Sequence, residues 1–320
     1  MKKNWVFLIG IALLAILPLA ISSQYIMHLL ILIAINVIYA SSLNLISGYV
    51  GELSLGHAAF AGLAAYTTAL ISLNGGSAWL GLIAGILVTL AVSYFFGKIV
   101  LRLRGAYFVI TSSAFQMALF YLASNWLSVT RGPMGLLNIP KVAIGGFVFE
   151  SKTSFYFLSV IIAIIVVVAC RRLVKSPIGE TWVAVRENEN LAAAVGINRA
   201  KYTRIAFVFA GVFAGIGGWL IAHYIGVVSP DNMSYNLIVS MMLMVVIGGR
   251  GTIAGPVIGA VLITLLPEYL RWMGNWRMSV YGLILFLMVI FLPGGIMQLW
   301  STIKNKGVFS SWVRSKKEVN

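Results

Sequence analysis

The chain has 320 residues, of which 60% are hydrophobic and only 10% are charged. Soluble domains carry about 25% charged residues, so this composition excludes an ordinary soluble protein. The net charge of +15 lies in short segments between apolar runs, which argues against a basic surface that binds nucleic acid. The single cysteine, Cys170, excludes an intramolecular disulfide and a cysteine-based metal cluster.

Apolar runs that are long enough to cross a bilayer recur along the whole chain, since a crossing helix needs about 20 residues. They predict one all-α domain over residues 1–320, a polytopic membrane bundle of about ten helices. The first run resembles a signal peptide, but its length and the runs that follow it favour a retained helix. The predicted spans are 5–22, 26–47, 54–73, 78–100, 106–126, 153–170, 203–228, 236–249, 254–270 and 278–299.

The number of crossings depends on the short pair 236–249 and 254–270, which could be two crossings or one broken re-entrant element around the glycines between them. Counts of eight or ten both leave the two termini on one side. Lys and Arg concentrate in cytoplasmic loops, so the orientation follows from their distribution. With the termini inside, 18 of the 23 basic residues are cytoplasmic, and five lie outside: Arg131, Lys141, Lys152, Arg271 and Arg277.

Glycines and polar residues interrupt the chain between the second and third runs. Irregular backbone within a bilayer must face protein or a water-filled cavity, and ionisable residues there are functional candidates. The pattern therefore favours a segment that lines a pathway. The alternative is a turn at the membrane edge, with the glutamate solvated and the histidine used in helix packing. The residues concerned are Gly48, Gly51, Glu52, Ser54, Gly56 and His57.

The loop at 127–152 is predicted to lie outside and contains a rigid Gly/Pro string. Such a string at the outer mouth could receive a ligand or a protein that delivers it, because loops often carry function. The alternative is an ordinary turn before Ile139-Pro140. The candidate residues are Thr130, Gly132, Pro133, Met134 and Gly135.

Residues 171–202 form the largest predicted cytoplasmic loop. A helix is expected to start near Gly179, after Ser176-Pro177, because the residue before proline disfavours helix. A second short helix is favoured over Glu187 to Val195, with Gly196 as its C-terminal stop. A short helix of mixed polarity could dock into a groove of a soluble partner, and the alternative is a solvated connection between two spans.

Towards the C-terminus, a third glycine-rich string lies between the runs 236–249 and 254–270. Small residues four apart let helices approach closely, so close packing is the favoured role and gating is the alternative. Beyond the last span, residues 303–320 form a basic tail, which most simply anchors the last helix at the anionic inner surface. The string contains Gly248, Gly249, Gly251, Gly255, Pro256 and Gly259.

Four strings resemble, in order, the permeases of branched-chain amino acid ABC importers, in particular the M-type subunit. Residues 48–60 match G-x-x-G-x-x-S-L-G-H-A-A-F, and residues 130–136 match T-G-G-x-x-G-L except at Arg131. Residues 189–196 match E-x-x-A-A-x-x-G, and residues 248–260 match G-G-x-G-T-x-x-G-P-x-x-G-A, with Arg250 at a position that is commonly apolar.

The resemblance implies a type II-like importer permease in the cell inner membrane, which carries leucine, isoleucine, valine and related neutral amino acids. It implies a second homologous permease subunit, with which this chain would form a heterodimer. It also implies two cytoplasmic ATPase subunits and an extracytoplasmic substrate-binding protein. The short helix of residues 171–202 would be a coupling helix that contacts the ATPase through Glu187, Glu189, Ala192, Ala193 and Gly196.

The importer hypothesis makes a prediction about ATP binding, and three further hypotheses remain beside it. No G-x-x-x-x-G-K-[ST] motif occurs, so ATP and Mg would be used by partner subunits, and this chain is expected to hold no cofactor or metal and to be no enzyme. A permease for urea or short amides is one alternative. An ion-coupled secondary transporter is another, but its candidate ionisable groups, Glu52, His57 and Glu268, all lie near predicted edges. A membrane enzyme is disfavoured, since the histidines and acids form no catalytic pattern.

Overall fold

The structure is a computed structural model that describes residues 23–292 and 294–299. Its regular secondary structure within these residues consists of helices and one short hairpin. The helices are α1 (Gln24–Asn44), α2 (His57–Leu73), α3 (Ala78–Val100), α4 (Ala106–Asn125), α5 (Leu127–Thr130), α6 (Lys152–Val174), α7 (Pro177–Glu187), α8 (Glu189–Ala194), α9 (Arg199–Ile225), α10 (Tyr235–Gly248), α11 (Ala254–Tyr269) and α12 (Arg277–Phe291). A π-helical segment, Leu45–Val50, continues α1.

The predicted outer loop contains strands that the sequence analysis did not anticipate. Strands β1 (Ala143–Ile144) and β2 (Phe147–Val148) pair antiparallel. Gly145 and Gly146, which join them, both have positive φ. Two-residue hairpin turns favour glycine for this reason.

Each predicted span that lies within the described residues coincides with one helix of the bundle, which confirms a helical polytopic protein. Among the described residues, six helical stretches are long and apolar enough to cross a membrane. Helices α2 and α10 are apolar but shorter. Ten crossings therefore stays a prediction. The predicted first span, 5–22, and the basic tail, 303–320, lie outside the described residues.

Helix α9 lies at the centre of the bundle and packs against α1, α2 and α3. Its small residues permit this close approach: a Cβ at Gly211 would lie 3.0 Å from Ser93 Cβ, and one at Gly215 would lie 2.9 Å from Thr89 Cγ2. Small residues at helix interfaces are the usual means of tight packing in membranes. Large apolar side chains on α3, α4 and α12 point outward instead, among them Ile83, Ile110 and Phe286.

The loops segregate to two ends of the bundle. The hairpin end consists of residues 126–152, 226–229 and 270–276 with the start of α1, where Lys152 Nζ donates to Gln24 O and Arg271 lies over the Tyr25 ring. The α8 end consists of residues 51–56, 101–105, 175–198 and 249–253. Four of the five basic residues predicted to lie outside belong to the hairpin end, and Arg277 begins α12 directly after it.

Helix α10 begins at mid-depth in the bundle. In this part of the chain, the sequence analysis instead predicted irregular backbone only at the glycines after this helix. Its 14 residues span about 21 Å, less than the ~30 Å of a hydrocarbon core. The preceding segment, 226–234, descends from the hairpin end: Gln116 Nε2, midway along α4, donates to Ser234 O at 3.1 Å. Irregular backbone thus occurs at 226–234 as well as at the glycines 249–251, because neighbouring helices bury it and satisfy its polar groups.

Candidate functional site

Helices α7 and α8 lie in the predicted cytoplasmic loop, residues 171–202, which we call the docking loop, and their boundaries differ slightly from the predicted ones. Helix α7 begins at Pro177, two residues before the predicted start, because proline is well tolerated at the first helical position and the Ser176 side chain accepts from Gly179 N–H. Trp182 is buried, and its Nε1 donates to Tyr202 O at 2.9 Å, which attaches α7 to α9.

The second helix was predicted over Glu187 to Val195, but α8 covers only Glu189–Ala194. Glu187 is the last residue of α7 instead, because Asn188 is extended and its side chain caps α8 by accepting from Leu191 N–H at 3.0 Å. Gly196 has φ +83° and its N–H donates to Ala193 O, so it ends α8 as expected.

The five predicted coupling residues divide between two faces. Glu187, Ala193 and Gly196 are exposed, whereas Ala192 is buried against the bundle. Two large apolar side chains of this short region, which the sequence analysis did not single out, point away from the bundle: Leu191 is 65% exposed and Val195 is 71% exposed. Exposed apolar side chains beside exposed polar ones are typical of a protein interface.

The glycine-broken segment between α1 and α2 lies next to this loop. The π-helical turn ends at Gly51, with φ +87°, and residues 52–56 form no helix until His57 starts α2. Ser112 Oγ, on α4, accepts from Leu55 N–H at 3.1 Å. The predicted interruption of the apolar run is therefore confirmed, and the irregular backbone is packed against protein.

The polar side chains of this segment have different surroundings. Ser54 and His57 are fully buried. Ser42 Oγ donates to Tyr39 O, so it accepts from His57 Nε2–H at 2.9 Å, which gives the histidine a helix-packing contact. Glu52 is not simply solvated at the membrane edge, because its side chain is only 15% exposed and forms an ion pair with Arg199.

A chain of ion pairs connects the glycine-broken segment to the docking loop. Arg199, at the start of α9, pairs with Glu52 and also places its Nε 3.5 Å from Glu189 Oε2 on α8. Arg104 Nη2 lies 2.7 Å from Glu189 Oε1, and Arg199 Nη1 donates to Leu101 O. We call these residues, Glu52, Arg199, Glu189 and Arg104, the ion-pair chain.

A second junction joins the docking loop to the two glycine-rich segments that contain Gly48 and Gly251. Arg186 Nη1, on α7, donates to Gly48 O at 2.7 Å. Asn44 accepts from Gly251 N–H at 3.0 Å through Oδ1 and donates to Thr252 O at 2.8 Å through Nδ2. Any side chain at Gly48 would collide with Asn44 and Gly251. The sequence analysis missed Asn44, Arg104 and Arg199 as partners, because each interacts with residues far away along the chain.

The glycines at 248–259 lie where α10 and α11 approach each other. A Cβ at Gly248, Gly255 or Gly259 would collide with backbone of the facing segment. Pro256 is buried in the first turn of α11, and Gly249 and Gly251 have positive φ in the turn. This geometry supports the packing role, while gating stays a prediction. Arg250 is exposed.

The predicted outer-mouth residues form a tightly bonded turn at the hairpin end. Thr130 Oγ1 is buried near Ala123 O and accepts from Gly132 N–H, Pro133 lies in a 3₁₀ turn, and Met134 is 76% exposed. Leu136 forms a β-bridge with Val228 directly after Gly135. Arg131 has φ +58°, a conformation that glycine adopts at no steric cost, so the departure from the motif is accommodated with strain.

Among the described residues, no group of three or more His, Cys, Asp or Glu side chains could hold a metal ion. Cys170 is buried, and its Sγ lies 3.9 Å from Ser41 O. Four of the five ion pairs of the described residues lie at the α8 end.

The chain is similar in sequence to known transport permeases. The chain is 27% identical to the high-affinity branched-chain amino acid transport system permease protein LivM of Salmonella typhimurium and 28% identical to LivM of Escherichia coli, each over 93% of this chain and 76% of the relative. It is 22% identical to LivH of Salmonella typhimurium, over 79% of this chain and 88% of the relative. No solved structure matches significantly.

A family model described as branched-chain amino acid transport system / permease component matches residues 25–292. The match begins within α1 and extends through α12, so it includes the ion-pair chain, the docking loop and both glycine-rich strings. The chain therefore belongs to the family of permease components of branched-chain amino acid transport systems.

Proposed function

We propose that this chain is one permease subunit of an ATP-driven importer that moves leucine, isoleucine, valine and related neutral amino acids across the cell membrane. The observation that carries the proposal is the ion-pair chain, which connects Glu189 of the exposed helix α8 through Arg199 to Glu52 beside the glycine-broken segment. A displacement of α8 by a partner would thereby be transmitted into the membrane bundle.

The partners follow from the same surface and from the family. Two ATPase subunits on the cytoplasmic side would bind α7 and α8, with Leu191 and Val195 as apolar contacts. The similarity to both LivM and LivH supports a second, homologous permease subunit. An extracytoplasmic binding protein would deliver the amino acid to the hairpin end. In this proposal ATP and Mg act only in the partner subunits, and this chain holds no cofactor.

Reconstitution tests the energy source. The chain is purified with its partner subunits, placed in proteoliposomes, and supplied with binding protein and radiolabelled leucine or urea. We expect leucine uptake that requires ATP and persists when ionophores remove proton and sodium gradients. Uptake by this chain alone under an ion gradient would instead support a secondary transporter, and ATP-driven uptake of urea without leucine would support the amide permease.

A further inference from the structure

The segment before α10 brings an acidic residue to the middle of the bundle. Asp231 and Asn232 share a cavity with Asn36, which lies about 18 Å along α1 from Gln24, since a helix rises 1.5 Å per residue. The span Gln24–Val50 has 27 residues, so Asn36 is near its centre. Asp231 thus lies near mid-depth along the bundle, although the sequence places it in a loop after the predicted span 203–228.

The environment of Asp231 indicates that this face does not contact lipid. Asp231 is exposed within the described chain. Ionisable side chains at membrane depth are costly in lipid and almost always face a water-filled cavity or the interior of a protein assembly. The exposed carboxylate therefore marks a surface that faces water or a partner subunit instead of lipid.

The cavity beside Asp231 combines that carboxylate with amide and aliphatic groups. Its volume is about 210 Å³, below the roughly 300–1,000 Å³ of pockets for drug-sized ligands, so it is suited to a small ligand. The aliphatic side chains of Leu32, Ile35 and Leu237 form one part of its lining, and no Lys or Arg is among the lining residues. Ligand sites in helical bundles commonly have this mixture of apolar wall and few polar groups.

The hydrogen-bonding capacity of the polar residues matches a zwitterion. Asn232 Oδ1 accepts from Ser229 N–H at 3.0 Å, so its amide N–H groups remain to donate to a carboxylate. Asn36 Nδ2 donates to Thr264 Oγ1 at 2.9 Å, which leaves its Oδ1 as an acceptor. The Asp231 carboxylate is the anionic acceptor for an ammonium group, a charge-assisted contact that is stronger than a neutral one.

We propose that this cavity is a transient binding site for a neutral aliphatic amino acid on its way through the permease. Asp231 binds the ammonium group, Asn232 binds the carboxylate, and Leu32, Ile35 and Leu237 contact the aliphatic side chain. This inference rests on the proposed function and adds the residues that recognise the cargo.

Initial uptake rates in the reconstituted importer test the site, with binding protein saturated with leucine or valine. Asp231→Asn removes the anionic acceptor and should lower leucine uptake about tenfold or more. Asp231→Glu keeps the charge and should retain most of the uptake. Leu237→Trp narrows the aliphatic part, so it should raise the ratio of valine to leucine uptake about threefold or more.

Glu268→Gln is the matched control, because Glu268 pairs with Arg271 at the hairpin end and lies outside the cavity. Its uptake should equal that of the unmodified chain. Wild-type uptake together with normal uptake by Asp231→Asn would overturn the inference and leave the proposed function intact. So would an inactive Asp231→Glu combined with an unchanged valine-to-leucine ratio in Leu237→Trp. Absence of any ATP-driven uptake by the wild-type complex would overturn both.

Discussion

At the residue scale, Arg199 connects two carboxylates that belong to different parts of the chain. Its partner Glu52 is 147 positions away, and both side chains are largely buried. Removing one member of a buried ion pair leaves the other charge without compensation, which costs more than the pair contributes by itself. The sequence motifs single out Glu52 and Glu189, but only the folded chain brings Arg199 between them.

Glu52→Gln tests this pair. We expect the free energy of unfolding to fall by about 1–3 kcal/mol, because Arg199 then keeps only its contacts with Glu189 and Leu101 O. ATP-driven uptake should fall as well. Thermal unfolding in detergent and uptake in proteoliposomes are the measurements. Glu187→Gln is the control, since the Glu187 side chain is 67% exposed and exposed pairs contribute little. Equal stability of the two variants would contradict the prediction.

Gly48 and Gly282 give a matched pair for the junction at the α8 end. A Cβ at Gly48 would lie 2.5 Å from Gly251 N, whereas nothing lies within 4 Å of one at Gly282. Gly48→Ala should therefore lower the thermal unfolding temperature and the uptake rate, because Asn44 or the 251–252 turn must move. Gly282→Ala should be neutral or slightly stabilising, since alanine favours helix. Unfolding temperatures that change alike in both variants would refute this explanation.

At the element scale, α7 and α8 form a unit that is attached to the bundle on one side and exposed on the other. Trp182 and Arg186 hold the inner side, and Leu191 and Val195 lie on the outer side. Amphipathic helices of this kind bind grooves of partner proteins through their apolar side chains. The sequence predicted both helices, but it did not show which residues point outward.

Val195→Glu tests the docking surface. The charge should weaken binding of the ATPase subunit at least about tenfold, because it is placed in an apolar contact. The protein should still reach the membrane in normal amount. Co-purification of the ATPase and quantification of the membrane fraction are the measurements. Val148→Glu is the same substitution at an exposed site of the hairpin end, and it should leave ATPase binding unchanged. ATPase binding at the wild-type level by Val195→Glu would remove α8 from the interface.

At the scale of the whole molecule, the two groups of loops lie at opposite ends, as the distribution of Lys and Arg predicts. Which end faces the cytoplasm is tested by cysteine labelling. The natural Cys170 is the only cysteine of the chain and is buried, so it should contribute little labelling of its own. Met134→Cys should react with a membrane-impermeant maleimide in intact cells, and Leu191→Cys should react only after permeabilisation. The opposite pattern would reverse the orientation.

The sequence by itself determined the order of the long described helices, the interruption before α2 and the presence of a short helix that ends at Gly196. These features depend on local hydrophobicity, glycine and capping residues, which act within a few positions of one another. The sequence alone also indicates the family, because the family's motifs are contiguous strings of residues.

Only the tertiary structure decided how those strings meet and how deep each one lies. The pair of Glu52 with Arg199 and the contacts of Asn44 join residues more than 100 positions apart along the chain. The mid-depth start of α10 depends on packing of the segment before it against α2 and α4, which hydropathy along the chain does not report. Only the packing of the helices places Asp231 in the cavity with Asn36 and Leu237, which makes it a candidate for cargo binding.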